Sequence, residues 1–205
     1  MGDLRSGRRG LVVVIHGGFW RQEWLRDTTE SLAVDLTRRG FATWNIEYRR
    51  IGGGGGWPGS AHDVLMALDF TPQLGLGFEK VAVIGHSAGG QLALWSARRS
   101  RTEISQVVAM APITDLERHS QSGMYGAAEA QLLLESGAPA ISDPGDIATI
   151  LVHGEDDRHV PLQHSSELAV RGGLDLITSP GGHFDLLDPE RDPWPRIVEA
   201  INRSI

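Results

Sequence analysis

The chain has 205 residues, a formal net charge of −7 and no cysteine. The length fits a single large domain over residues 1–205, and the negative charge argues against a protein that mainly binds nucleic acid or an anionic membrane surface. The absence of cysteine excludes disulfides, zinc–thiolate sites and thiol nucleophiles.

The N-terminal residues contain a short basic cluster, Arg5, Arg8 and Arg9, which we interpret as a solvated tail. No apolar run follows it that would form a signal peptide, and the longest apolar run, Val12–Ile15, is far too short to cross a membrane. We therefore expect a cytoplasmic protein, either a monomer or a homodimer.

Short runs rich in β-branched residues alternate with longer helical stretches along the chain. The runs predict six strands: Leu11–Ile15, Ala42–Glu47, Val81–Gly85, Gln106–Met110, Thr149–His153 and Leu174–Thr178. The intervening stretches predict helices over Thr28–Arg39, Ser60–Phe70, Ala88–Ser100, Leu162–Arg171 and Trp194–Arg203. Strands that are apolar on both faces and alternate with helices indicate an α/β fold with a doubly wound, mostly parallel sheet.

The first predicted strand runs directly into His16-Gly17-Gly18-Phe19. Two glycines at this point let the backbone approach a bound oxygen and expose amide N–H groups to it. Acyl transfer passes through an oxyanion that such groups stabilise, and lipases and esterases carry an HGGG-type motif in the corresponding loop. The segment is a candidate oxyanion loop, braced by hydrogen bonds of His16.

The third strand ends in Gly85-His86-Ser87-Ala88-Gly89, which fits G-x-S-x-G. At a sharp strand-to-helix turn the serine adopts a strained backbone conformation, so the residues two before and two after it must be small. The following helix directs its positive end at the site. We predict Ser87 as a nucleophile, with the amide of Ala88 as one oxyanion donor.

Residues 112–145 separate two strands by more than a usual connection, and the stretch from Met124 to Ser136 within them looks helical. We predict a small cap insertion over the C-terminal edge of the sheet. Its shortness predicts a fairly open site.

A serine hydroxyl needs a base, and in this chain order an acid and then a histidine should follow the serine. His183, in a glycine-rich loop after the last strand, is the predicted base. Four acids could orient it: Asp157, which we favour, and Asp156, Glu155 and Asp115. The histidines form no HxH or HExxH set, so we expect no metal site.

Over nearly its whole length the sequence resembles the α/β-hydrolase superfamily. Within it, HGGFW together with GHSAGGQLA is similar to the esterase/arylformamidase group, which is kynurenine formamidase-like. The resemblance implies Ser87 as nucleophile, His183 as base, and Gly18, Phe19 and Ala88 as oxyanion donors. The family pattern HG-x-x-D-x-x-VP, matched by residues 153–161, implies Asp157 rather than Asp156 as the acid.

The sequence departs from the family pattern at its N-terminus. Only ten residues precede the first predicted strand, so we expect the fold to be shortened there. The two antiparallel strands that usually open this fold would then be missing.

These residues together predict a serine hydrolase that cleaves a small carboxylic ester or an N-formyl amide through an acyl-enzyme intermediate. Trp20 and Trp57, with Phe19, are predicted to line an aromatic substrate pocket. A Ser-His-Asp site needs no cofactor, and the expected partner is a small-molecule ester or amide. The alternatives are an exopeptidase-like α/β hydrolase and a catalytically silent binding protein of the same fold.

Overall fold

The computed structural model describes residues 9–78, 80–141 and 145–205. Arg5 and Arg8 of the basic cluster, and residues 142–144 of the predicted cap, lie outside these ranges. Six strands form one sheet: β1 (Leu11–Ile15), β2 (Ala42–Ile46), β3 (Val81–His86), β4 (Ile104–Met110), β5 (Ala148–Gly154) and β6 (Asp175–Ser179). Their order is β2-β1-β3-β4-β5-β6, and every strand pairing in the described ranges is parallel.

Helices connect the strands: α1 (Glu30–Arg38), α2 (Gly59–Phe70), α3 (Ala88–Ala97), α4 (Leu116–Gln121), α5 (Ala127–Glu135), α6 (Gln163–Gly172) and α7 (Trp194–Ser204). Helix α1 begins later than predicted because the tighter 3-10 turn Arg26–Thr29 precedes it. The periodicity did not predict α4, a short helix whose first turn is capped by Asp115. Within the described ranges, none of these helices has the length and apolar character needed to cross a membrane.

Apolar side chains cover both faces of the sheet, as the continuous apolar strands require. In β1, Val12 and Val14 pack in a cluster with the apolar stripes of α1 and α7, while Val13 and Ile15 pack with α2 and α3 on the other face. This arrangement confirms the predicted α/β fold with a doubly wound parallel sheet.

The sheet topology brings the predicted site residues to one edge. In parallel strands all C-terminal ends lie on the same side, so the segments after β1, β3, β5 and β6 meet there. The chain leaves β1 for β2 on one side and returns to β3 on the other, which makes the crevice between β1 and β3 a topological switch point. Ligands of open α/β sheets bind at such a crevice.

Candidate active site

Ser87 occupies the turn between β3 and α3 in a strained conformation, with φ 55° and ψ −119°. A Cβ atom at Gly85 would lie 2.2 Å from the carbonyl oxygen of Gly89, and one at Gly89 would lie 2.3 Å from the carbonyl oxygen of His16. Both contacts are with rigid backbone, so only glycine fits at these positions. Ala88 begins α3, and its N–H is among the first-turn amides that have no partner inside the helix.

The two candidate catalytic side chains, Ser87 and His183, each have a polar atom without a hydrogen-bond partner among the described residues. Within the part of the chain that the structure describes, Ser87 Oγ and His183 Nε2 are buried and make no hydrogen bond. Ser87 is fully buried, in contrast to the open site expected from a short cap.

Asp157 is the acid that contacts His183, with Asp157 Oδ2 2.7 Å from His183 Nδ1. The backbone N–H groups of His159 and Val160 donate to Asp157 Oδ1, both at 2.8 Å. The other three acids are engaged elsewhere or point into solvent. Asp115 caps α4, Glu155 accepts from Thr178 Oγ1, and Asp156 is exposed.

The local electrostatics keep Asp157 ionised and His183 neutral. Burial alone would raise the pKa of Asp157, but hydrogen bonds from His153, His183 and the N–H of Val160 lower this pKa well below its usual range. Burial lowers the pKa of His183, and the contact with Asp157 opposes that effect. A neutral His183 that donates from Nδ1 presents a free lone pair at Nε2.

His86 plays a part that the sequence did not predict. Its ring faces the loop after β6, where His86 Nε2 donates to the backbone carbonyl of His183 at 3.0 Å. Burial, with the nearby His183, lowers the pKa of His86 to about 3, so the ring is neutral. The residue before the serine thus supports the loop that carries His183.

The candidate oxyanion loop packs tightly against the serine. A Cβ atom at Gly17 would lie 3.0 Å from Ser87 Cβ, and one at Gly18, where φ is 104°, would lie 2.1 Å from Trp24 Cβ. Phe19 and Trp20 also have positive φ, 52° and 57°, which L residues with side chains rarely adopt. Strain of this kind is retained where the surrounding structure enforces a functional backbone geometry.

A set of mostly buried polar side chains anchors this loop through hydrogen bonds. His16 Nδ1 lies 2.7 Å from the carbonyl oxygen of Gly17, and His16 Nε2 lies 2.8 Å from Glu47 Oε1. Tyr48 Oη donates to the carbonyl oxygen of His16 at 2.9 Å, and the buried Arg50 pairs with Glu47. Burial lowers the pKa of His16 although Glu47 opposes this effect.

Aromatic rings surround His183. Phe19 stacks at 6.0 Å between ring centroids, and Phe184 packs edge-on at 5.2 Å. Trp24 in turn stacks on Phe184 at 5.9 Å, and Tyr125, from the predicted cap, packs edge-on against Phe19 at 4.9 Å. Phe184 and Tyr125 are each 43% exposed, so these rings form the outer wall of the site.

The two tryptophans predicted to line a pocket lie elsewhere. Trp20 is fully buried within the core cluster on the α2 and α3 face. Trp57 packs edge-on against Trp95 with ring centroids 5.0 Å apart, and Trp95 lies two turns along α3, about 12 Å from Ser87. Both placements favour packing over substrate contact. Phe184, which the sequence did not single out, packs against His183 instead, and Trp24 stacks on Phe184.

The described residues were also compared with the requirements of a metal site. Among residues 9–78, 80–141 and 145–205, no three His, Asp or Glu side chains are grouped so as to hold a metal ion.

Comparison with known proteins gives a family and a fold. A family model described as BD-FAE matches residues 3–171. No curated protein matches the sequence at a significant level.

Three similar structures belong to esterases. Esterase B from Lactobacillus rhamnosis has a TM-score of 0.75 and 18% identity, covering 97% of this chain and 78% of that one. An esterase from Pyrococcus furiosus has a TM-score of 0.75 and 16% identity, covering 98% and 83%. Est1E from Butyrivibrio proteoclasticus, solved with ferulic acid bound, has a TM-score of 0.73 and 16% identity, covering 99% and 90%. Similarity at these identities shows a common α/β-hydrolase fold.

Proposed function

Because the chain belongs to the BD-FAE family and has the α/β-hydrolase fold, we propose that it is a serine hydrolase acting through an acyl-enzyme intermediate. Its substrate is a small carboxylic ester or an N-formyl amide. The esterase neighbours support ester hydrolysis, whereas the formamide alternative depends on the resemblance of HGGFW and GHSAG to the arylformamidase group.

One observation carries the proposal: Ser87 Oγ, at a strained turn, and His183 Nε2 are both buried and unpartnered. A buried polar atom without a partner costs about 1–3 kcal/mol, and the backbone of Ser87 adds strain. A fold retains such a combination where an incoming group supplies the missing partners. The contact between His183 and Asp157 orients the imidazole for that role.

In the proposed reaction, Ser87 Oγ attacks the carbonyl carbon of the substrate while His183 Nε2 takes the serine proton. Amides of Gly18, Phe19 and Ala88 stabilise the oxyanion, each contributing roughly 3–4 kcal/mol. The intermediate collapses as His183 returns the proton to the leaving alcohol or amine. Water, deprotonated by His183, then releases the acid from Ser87. Asp157 stabilises the imidazolium without taking its proton.

The aromatic side chains around His183 favour a substrate that carries an aromatic group. Phe184 and Tyr125 combine exposure with contacts to the rings nearest His183, so they are the side chains that a bound substrate would meet first. Since Ser87 is fully buried, some of these side chains have to move when the substrate enters.

The test compares kcat/KM for p-nitrophenyl acetate and N-formyl-L-kynurenine, with Ser87→Ala as the blank. We expect the wild type to hydrolyse the ester and Ser87→Ala to fall to background. A formamide value of about 10⁴ M⁻¹s⁻¹ or more, usual for an enzyme on its own substrate, would establish the formamidase specificity.

Covalent labelling by a fluorophosphonate provides the matching control. The wild type should label at Ser87, and Ser87→Ala should not. A protein that neither hydrolyses the ester nor becomes labelled is a silent binding protein. If Ser87→Ala still hydrolyses the ester, the assignment of Ser87 as the nucleophile is wrong.

A further inference from the structure

His153, at the end of β5, is a second histidine beside Asp157. It is fully buried, and His153 Nε2 lies 3.4 Å from Asp157 Oδ2 and 2.9 Å from the carbonyl oxygen of Val160. On the other side of the ring, His153 Nδ1 lies 2.7 Å from Ser165 Oγ on α6, and Ser165 is also fully buried. The carboxylate thus lies between two imidazoles.

These neighbours determine which nitrogen of His153 carries the proton. Both groups that face Nε2 are acceptors, so Nε2 must carry the hydrogen. In the neutral ring Nδ1 then has only a lone pair, and the hydroxyl of Ser165 donates to it. The tautomer that results presents the N–H to the carbonyl of Val160, with Asp157 Oδ2 3.4 Å away, and the hydroxyl of Ser165 stabilises it by donating to Nδ1.

His153 also controls the loop that encloses the carboxylate. Val160 donates its N–H to Asp157 Oδ1, and its carbonyl is held by His153. The other carboxylate oxygen, Oδ2, faces His153 and accepts from His183. One side chain thus contacts the loop and the same oxygen that orients His183.

We propose that His153, in the tautomer that Ser165 stabilises, is a positioning residue that holds Asp157 Oδ2 in line with His183 Nδ1. The inference rests on the proposed function, in which Asp157 orients His183. A residue that only filled the core would not need a ring nitrogen that bonds the loop at Val160 and lies 3.4 Å from this carboxylate.

The test uses two substitutions of equal length, His153→Gln and His153→Met. The Gln side chain brings an N–H close to the position of Nε2, whereas Met brings none. Because a displaced catalytic group can cost up to about 100-fold, we expect His153→Met to lower kcat by about 10- to 100-fold with little change in KM. His153→Gln should restore most of that loss.

Proton NMR gives a second measurement that does not depend on turnover. The low-field signal of the His183 Nδ1–H that bonds to Asp157 should shift or vanish in His153→Met and persist in His153→Gln. Asp156→Asn, on the same loop but exposed, is the matched control and should leave the signal in place.

Ser165→Ala tests the contribution of the hydrogen bond to His153 Nδ1. If thermal unfolding shows that His153→Met does not fold, Ser165→Ala becomes the variant that tests whether His153 positions Asp157. It should lower kcat in the same direction but less, because Nδ1 then loses its hydrogen-bond donor while both acceptors at Nε2 remain. If a folded His153→Met, or in its absence Ser165→Ala, keeps both kcat and the NMR signal of the wild type, the inference is overturned while the proposed function stands. If the wild type hydrolyses neither the ester nor the formamide, the proposed function fails, and the NMR signal alone decides whether His153 positions Asp157.

Discussion

Asp157 differs from its neighbour Asp156 in every contact that matters for acid–base chemistry. The carboxylate of Asp157 is buried, accepts two backbone N–H groups and contacts His183, whereas Asp156 is exposed. Because adjacent residues in a loop direct their side chains apart, the same substitution can be made at Asp157 and at Asp156. Comparing the two variants separates a role in the candidate site from a general effect on the loop.

Asp157→Asn should lower kcat by about 10³- to 10⁴-fold, because an amide does not stabilise the imidazolium and favours the wrong tautomer of His183. Steady-state kinetics with p-nitrophenyl acetate measures the loss. Asp156→Asn is the control and should change kcat little. If the two results were exchanged, Asp156 would be the acid and the contact between His183 and Asp157 would have no catalytic role.

The junction of β3 and α3 depends on three backbones passing close together. The turn brings Gly85 onto Gly89, and Gly89 lies against the carbonyls at the end of β1. The serine and the candidate oxyanion loop are thereby packed as one unit. The G-x-S-x-G motif shows that these positions hold small residues. Only the fold shows that the end of β1 leaves no room for a side chain at Gly89.

Gly89→Ala should lower the free energy of unfolding at or beyond the upper end of the usual overpacking range, about 1–3 kcal/mol, because the new methyl meets rigid backbone. Urea denaturation measures the change. Gly182→Ala is the matched control, since a Cβ atom there lies 3.6 Å from its nearest neighbour, an ordinary contact. Equal stability of the two variants would contradict the close packing at this junction.

Buried neutral histidines make the stability of the whole chain sensitive to acid. Burial lowers the pKa of His86 to about 3 and that of His164 to about 4. In the unfolded chain both would titrate near 6.5. Below that pH the unfolded state binds more protons than the folded state, so folding stability falls as the pH falls.

Between pH 6.5 and 4 the free energy of unfolding should therefore decrease, with a slope that approaches about 1.4 kcal/mol per pH unit for each of these histidines. Urea unfolding at a series of pH values from 7.5 to 4.5 measures the slope. His164→Gln removes one titrating group and should make the curve shallower by about one such contribution. A stability that stays flat from pH 7 to pH 5 would refute the neutral, buried state of these rings.

The architecture of the molecule could be read from the sequence because it depends on local patterns. Apolar runs of strand length predicted all six strands to within a residue or two at most ends, and their alternation with helices predicted the parallel sheet. The small residues around Ser87 and the glycine pair after β1 were recognisable for the same reason, since each reflects a backbone conformation required at that point.

Other features of the candidate site depend on contacts between segments far apart in the chain, which local patterns do not encode. His86 meets the loop of His183 only because the segments after β3 and β6 lie at the same edge of the sheet. The contact of Asp157 with His183 likewise joins the loops after β5 and β6. The aromatic side chains show the same limit. Trp20 and Trp57 follow glycine-rich segments, as a pocket residue would, yet they lie in packed surroundings, while Trp24 and Phe184 meet across the site.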